Sequence, residues 1–195
     1  MKKQLFLSIA VVFFFMTQLS AQNNEIRANI GLLTTADVGN FFGDLIISTI
    51  SIGGYTTNNS TSIGALGAEY WHFQSNRFKI GGLFSYQAID KEVFLAGNKV
   101  GDITDNYFTF LPQISYEYVQ AEWVQLYSGV GLGLTIWQQQ FISDDPKLSG
   151  EDATELMFNF HLNAVGLRVG KALGASLELG VGAKGIFNAG LSYRL

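Results

Sequence analysis

Two histidines, His72 and His161, are the only imidazoles in a 195-residue chain that has no cysteine. Without thiols, a disulfide framework, a zinc–thiolate centre, a cysteine nucleophile and a lipoprotein anchor are all excluded. A histidine becomes a general base when a serine or an acid stands within hydrogen-bond reach. His161 has Asn163, not serine, two residues on, so a His-x-Ser pair is missing and an inward histidine held by its neighbours is the simpler reading. His72 lies among Tyr70, Trp71 and Phe73 and is read as structural. Gly180-Val-Gly182-Ala-Lys184-Gly185 spells the dinucleotide-binding pattern, which needs a strand before it and a helix after it. Here it closes an alternating strand in a chain with 22 glycines, so the spacing reads as chance. Asn58-Asn59-Ser60-Thr61 holds glycosylation triplets, which mean nothing in a bacterial cell. No residue set specifies a catalytic, cofactor or metal site.

The elements that carry these residues are strands. Charged residues are only 14% of the chain, aromatics are 14%, and there are 2 prolines. That composition argues against disorder and against an ordinary helical enzyme, and the length suits one domain. Residues 1–21 read as a targeting segment: Lys2 and Lys3, an apolar run from Leu5 to Met16, then Leu19-Ser20-Ala21 as a cleavage site before Gln22. The run is shorter than the roughly 20 residues a spanning helix needs. Net charge is −4, and no basic cluster follows Lys2-Lys3, so nucleic acid is not an expected partner. Residues 22–195 form the mature domain.

Period-two alternation recurs along that domain. Ile26, Ala28, Ile30 and Leu32 alternate with Arg27, Asn29 and Gly31. Within residues 36–50, Val38, Phe41, Phe42, Leu45, Ile46 and Ile50 recur at helical steps, which predicts a short amphipathic helix in a long loop reaching to residue 61. Further strands are predicted at 62–73, 78–89, 107–119, 124–136, 155–170, 175–184 and 186–195. Pro112 predicts a bulge or a locally unpaired position, and a parity switch near Ala164 predicts a bulge. Residues 90–105 read as a polar excursion with a small hairpin near Gly97-Asn98. Residues 141–154 form another long loop, whose Asp144, Asp145, Glu151 and Asp152 could gather divalent cations with lipopolysaccharide phosphates, a solvated loop being the simpler reading. Eight strands with short links at one end and long links at the other predict an up-and-down antiparallel barrel.

One face is apolar and layered. Tyr70, Phe78, Tyr116, Tyr118 and Tyr193 fall near the short-turn end, and Tyr86, Phe108, Phe110, Phe158, Phe160 and Phe187 near the long-loop end. Two aromatic girdles around an aliphatic band are expected at two membrane interfaces. The other face is mostly Gly, Ser, Thr, Asn and Gln, which suits a narrow, packed lumen. Its charges, Arg27, Glu69, Lys79, Glu117, Arg168, Glu178 and Arg194, alternate in sign between neighbouring strands around Gln125, except that Arg194 and Arg27 meet at the closing pair. They are expected to plug the short-turn half of the lumen, because confined charges must be paired.

The last strand carries a resemblance. Asn188-x-Gly190-x-x-Tyr193-x-Leu195 resembles the C-terminal assembly signal of outer-membrane barrels, although such signals most often end in an aromatic residue. With the export segment, strand count, loop alternation and girdles, the mature chain resembles the small eight-stranded outer-membrane proteins of the OmpA and OmpX type. The resemblance implies an outer-membrane location in a Gram-negative envelope, contact with lipid and lipopolysaccharide, insertion by the barrel-assembly machinery, and no cofactor. It also implies a non-enzymatic structural or surface-interaction role, with 36–50 as the expected contact element, though that segment could instead cap the lumen or lie in the lipopolysaccharide layer. A lipid-modifying enzyme using His161, a small channel, and a soluble lipocalin-like periplasmic carrier are the alternatives.

Overall fold

The computed structural model describes residues 24–40, 55–95, 98–143 and 152–195. The targeting segment 1–21, residues 41–50 of the helical segment, Gly97, and the acidic Asp144, Asp145 and Glu151 lie outside the described residues. Nine strands follow in order: β1 (Asn24–Leu32), β2 (Tyr55–Ser62), β3 (Ala65–Phe73), β4 (Phe78–Leu95), β5 (Asn98–Gln120), β6 (Val124–Ser143), β7 (Ala153–Gly170), β8 (Leu173–Gly182) and β9 (Phe187–Arg194). β2 and β3 pair end to end along β4, so together they make one stave. The break falls at Gly64, whose φ of 83° is a left-handed conformation that a side chain would strain. β1 pairs with both β3 and β9, which closes an eight-stave antiparallel barrel.

The barrel is inside out relative to a water-soluble one. Along β1 and β9, alternate residues are buried and exposed. Exposed positions carry Leu173, Leu191 and Leu177, at 69, 64 and 62% accessibility, while Lys79 and Arg168 are fully buried. Such a surface is stable only against an apolar solvent, so the strands are transmembrane strands. β1, β8 and β9, at 9, 10 and 8 residues, have about the length a tilted strand needs to cross a bilayer. Aromatic pairs pack across strands on this outer face: the rings of Phe78 and Tyr116 meet edge to face at 5.9 Å, and those of Tyr86 and Phe108 lie 5.1 Å apart.

Two expectations about loops are corrected. A hairpin does close near Gly97-Asn98 as expected, but residues 90–105 extend the barrel strands rather than leave them, because β4 and β5 stay paired from Phe78↔Tyr116 to Leu95↔Asn98. Residues 55–61 belong to β2 rather than to a loop. Above the membrane neither face need be apolar, so alternation fades while the backbone ladder continues. β6 and β7 also extend, paired to Gln139↔Ala153. A sheet of β2, β4, β5, β6 and β7 thus stands above the rim where β1, β8 and β9 end.

Smaller features also resolve. β7 bulges between Asn163 and Val165, where the parity switch was read. Pro112 causes no register shift against β4, where it faces Gly82, but the β5–β6 ladder skips Leu111 and Pro112. Proline has no N–H to donate there. The predicted strand over 175–184 ends earlier, at Gly182, and the link to β9 turns through Gly185, with φ 85°. Of the 36–50 helix, the described residues show helix over 35–40, here α1.

Candidate functional site: the lumen and the chamber above it

Inward parity brings the charged side chains together in the short-turn half of the lumen. Arg27, on β1, is the hub. Its guanidinium lies 2.8 Å from Glu25 Oε1 and 2.5 Å from Glu178 Oε1, and donates to the Tyr127 hydroxyl at 2.8 Å. Tyr127 in turn donates to Glu178 Oε1 at 2.7 Å. Its ring packs where a side chain at Gly166 would stand, which is how a glycine-rich inner face makes room for large groups. Lys184 lies 2.7 Å from Glu69 and also pairs with Glu178. Glu69 further accepts from Trp71 Nε1 at 2.7 Å and Asn29 Nδ2 at 2.8 Å.

A second group sits nearer the short turns. Lys79 pairs with Glu117 at 2.9 Å and faces the rings of Tyr127, Trp71 and Phe73 at 4.8, 5.4 and 5.4 Å, a cation–π enclosure. Arg194 spans Glu25 and Glu117, both at 2.9 Å. Arg168 donates to Ser192 Oγ at 2.7 Å, Gln125 Oε1 at 3.1 Å, and the carbonyls of Gly170, Lys171 and Ala172 at 3.0, 2.9 and 3.0 Å. It therefore fastens the β7–β8 turn.

Sign alternation between neighbouring strands describes only some of these pairs. Arg27 and Glu69 do pair, at 3.6 Å, as do Lys79 and Glu117, but Arg168 makes no pair with Glu178 among the described residues. The register explains this: Arg168 stands opposite Ser176, while Glu178 stands opposite Gly166, one inward step further up. Nor do Arg27 and Arg194 meet as bare like charges, since Glu25 lies between them. Glu25 and Lys184 are members that the sequence reading missed. Glu25 shares the parity of Arg27 on β1, and Lys184 that of Glu178 in the strand expected over 175–184, and that was the available signal, although Lys184 lies past the end of β8.

His161 is 1% exposed and faces the lumen, so it is not at the outer rim. Its Nδ1 accepts from the Lys184 backbone N–H at 3.4 Å, and no serine or carboxylate pairs with its ring among the described residues. His72 Nδ1 lies 2.9 Å from Asn24 Oδ1, at the short-turn end. Gly180, Gly182 and Gly185 lead into β9, a strand, so the helix that a dinucleotide fingerprint needs is absent there. In β9, Asn188 and Ser192 are buried inward, Gly190 shares their parity, and Tyr193 faces out. The Leu195 N–H donates to the Asn24 carbonyl at 2.9 Å.

Above the charges, Leu83, Leu111 and Ala183 form a buried apolar layer across the lumen. Above that layer lies a cavity of about 400 Å³ beneath α1. Thr34 and Asp37 cap α1 reciprocally: the Asp37 N–H donates to Thr34 Oγ1 at 3.2 Å, and the Thr34 N–H donates to Asp37 Oδ2 at 2.8 Å. Gln87 of β4 ties the helix to the raised sheet, accepting from Thr34 Oγ1 at 2.7 Å and donating to Asp37 Oδ1 at 2.6 Å. Asn40 donates to the Tyr107 hydroxyl at 2.9 Å and accepts from Lys91, which lies 3.2 Å from Asp105.

No protein-family model matches the chain, and no curated protein matches it in sequence. Solved structures that superpose on it include Ail, the attachment invasion locus protein of Yersinia pestis, in complex with the heparin analogue sucrose octasulfate, at 15% identity and a TM-score of 0.45 over 89% of this chain and 99% of that one. The N-terminal β-barrel domain of Pseudomonas aeruginosa OprF superposes at 13% identity and 0.39, over 89% and 96%. The translocator domain of the autotransporter NalP from Neisseria meningitidis superposes at 10% identity and 0.42, over 100% and 96%. The closed eight-stave barrel with its apolar exterior and polar interior is in itself the architecture of small outer-membrane barrels of the OmpA and OmpX type.

Proposed function

We propose that this protein is a non-enzymatic barrel of the outer membrane whose lumen is closed and whose raised sheet displays an interaction surface to the cell exterior. The observation that carries the reading is the sheet of β2, β4, β5, β6 and β7 standing on an inside-out barrel. Among the described residues, β2 pairs only with β4, and β7 above Phe160 pairs only with β6, so within those residues each is an edge strand. The β2 edge is interrupted by an irregularity between Asn58 and Thr61. β7 is regular there and carries the exposed Leu156 and Phe158. A free, regular edge offers unpaired backbone groups to an extended partner segment. Closure of the lumen is supported by the paired charges and by the apolar layer over them.

In this reading residues 1–21 are the removed export signal and residues 22–195 the barrel. The Asn188, Gly190, Tyr193 and Leu195 pattern is what the barrel-assembly machinery engages. The outer face meets lipid, and the rim meets lipopolysaccharide. Gel migration of the outer-membrane fraction, with and without boiling, tests the location and the barrel together. A boiling-dependent shift supports both, because closed strand hydrogen bonds resist detergent until heated. A soluble periplasmic protein without a shift would overturn them. Replacing residues 88–106 with a two-residue turn tests the surface role: the heat-dependent shift persists, and cells lose binding to whatever surface the parent chain recognises.

A further inference from the structure

We propose that the chamber beneath α1 binds a neutral sugar unit. The lumen below is crowded with charge, yet no Asp, Glu, Lys, Arg or His lines this cavity of about 400 Å³. Its polar wall comes from uncharged groups, among them Ser85, Thr109, Thr135 and Asn159, and its aromatic wall includes Tyr107 and Trp137. The nearby charges are already engaged: Asp37 by Thr34 and Gln87, and Lys91 by Asp105.

The unused hydrogen-bonding capacity defines the ligand. Ser85 is 4% exposed, and its hydroxyl has no partner among the described residues. Thr109 and Thr135 share a 2.7 Å hydrogen bond. Asn159 donates to Thr135 Oγ1 at 2.9 Å, which uses only one of its two amide hydrogens. A charged ligand would lose its hydration here and gain no counter-ion. A purely apolar ligand would seal the Ser85 hydroxyl without a partner, which costs more than leaving it to water. A pyranose meets both demands: its hydroxyls pair with Ser85 and Asn159, and its C–H face lies against an aromatic ring. Pockets of this kind, apolar by area with a few placed polar groups, are the usual form of small-molecule sites.

The test uses the full folded chain in lipid nanodiscs, with saturation-transfer NMR read on D-galactose, N-acetyl-D-glucosamine and L-rhamnose, and with glucuronate and indole as controls. At least one neutral sugar receives saturation, with an affinity of about millimolar strength, and neither control does. Ser85→Leu fills the chamber and weakens binding tenfold or more while the heat-dependent gel shift persists. Asn159→Leu serves the same purpose if the first variant does not fold. Retention of cells on beads coated with the bound sugar identifies a surface glycan as the source, whereas binding of the free sugar alone identifies a small solute, and either supports the chamber as the site. No saturation of any neutral sugar, equal binding of glucuronate or indole, or unchanged binding in both variants would overturn the proposal.

Discussion

Glu25 and Arg194 stand opposite each other in the ladder between the first and last strands, and their side chains meet at 2.9 Å inside the lumen. The seam that closes the barrel is thus also tied by charge. Glu25 simultaneously holds Arg27 at 2.8 Å, so one fully buried carboxylate separates two cations that would otherwise repel.

Glu25→Gln removes that separation and leaves Arg27 and Arg194 facing each other across the seam. Losing one member of a buried ion pair costs about 3–5 kcal/mol. The variant should unfold at lower urea concentration than the parent in lipid vesicles, followed by tryptophan fluorescence. Unfolding at the parent midpoint would show that the seam does not depend on this carboxylate.

Lys184 reaches from the β8–β9 link to Glu69 on β3, 2.7 Å away. Lys184→Met alone should destabilise by about 3 kcal/mol, since it strands buried carboxylate charge. Combined with Glu69→Gln, the loss should be smaller than the sum of the two single losses. A double-mutant cycle reads this coupling directly, and additive effects would show that the pair is not coupled.

Leu83 and Leu111 are both fully buried in the apolar layer of the lumen. Reconstituted parent protein should give no steady conductance in planar bilayers, because charge and apolar groups both block the path. Leu111→Ala should cost about 2–5 kcal/mol through the cavity it leaves. Stable single-channel steps from the parent would contradict the closed lumen.

The Asp37 carboxylate caps α1 and accepts from Gln87 at 2.6 Å. Asp37→Ala should loosen the helix by about 0.5–2 kcal/mol, the usual worth of such a cap. Amide exchange should quicken over residues 34–40 while the ladder β1–β9 stays protected. Equal exchange in parent and variant would mean that α1 is held from elsewhere.

The two extensions show why alternation is a partial guide. Residues 78–89 alternate because one face meets lipid and the other a packed lumen. Residues 90–105 continue the same ladder above the rim, where Val93 and Asp105 are still buried on the inner side but no lipid selects an apolar outer face, so they read as loop and are strand. The same holds for β2, whose Thr, Asn and Ser run has no apolar face to reveal it. Conversely, the bulge at Ala164 was legible, since a single extra residue flips the apolar set from one parity to the other.

The amino-acid order by itself determined the eight staves of the barrel, the barrel class and the inward or outward face of the membrane-spanning positions, because period two is a local property of an extended backbone between unlike solvents. It also held the inward parity of Glu25 and Lys184. Only the tertiary structure decided which charges meet. Strand stagger sets Glu178 opposite Gly166 and leaves Arg168 to the turn carbonyls, and the β8–β9 link carries Lys184 to Glu69. It decided as well that α1 stands over a cavity of uncharged groups, since that cavity is lined by residues from distant strands that become neighbours only when the sheet closes.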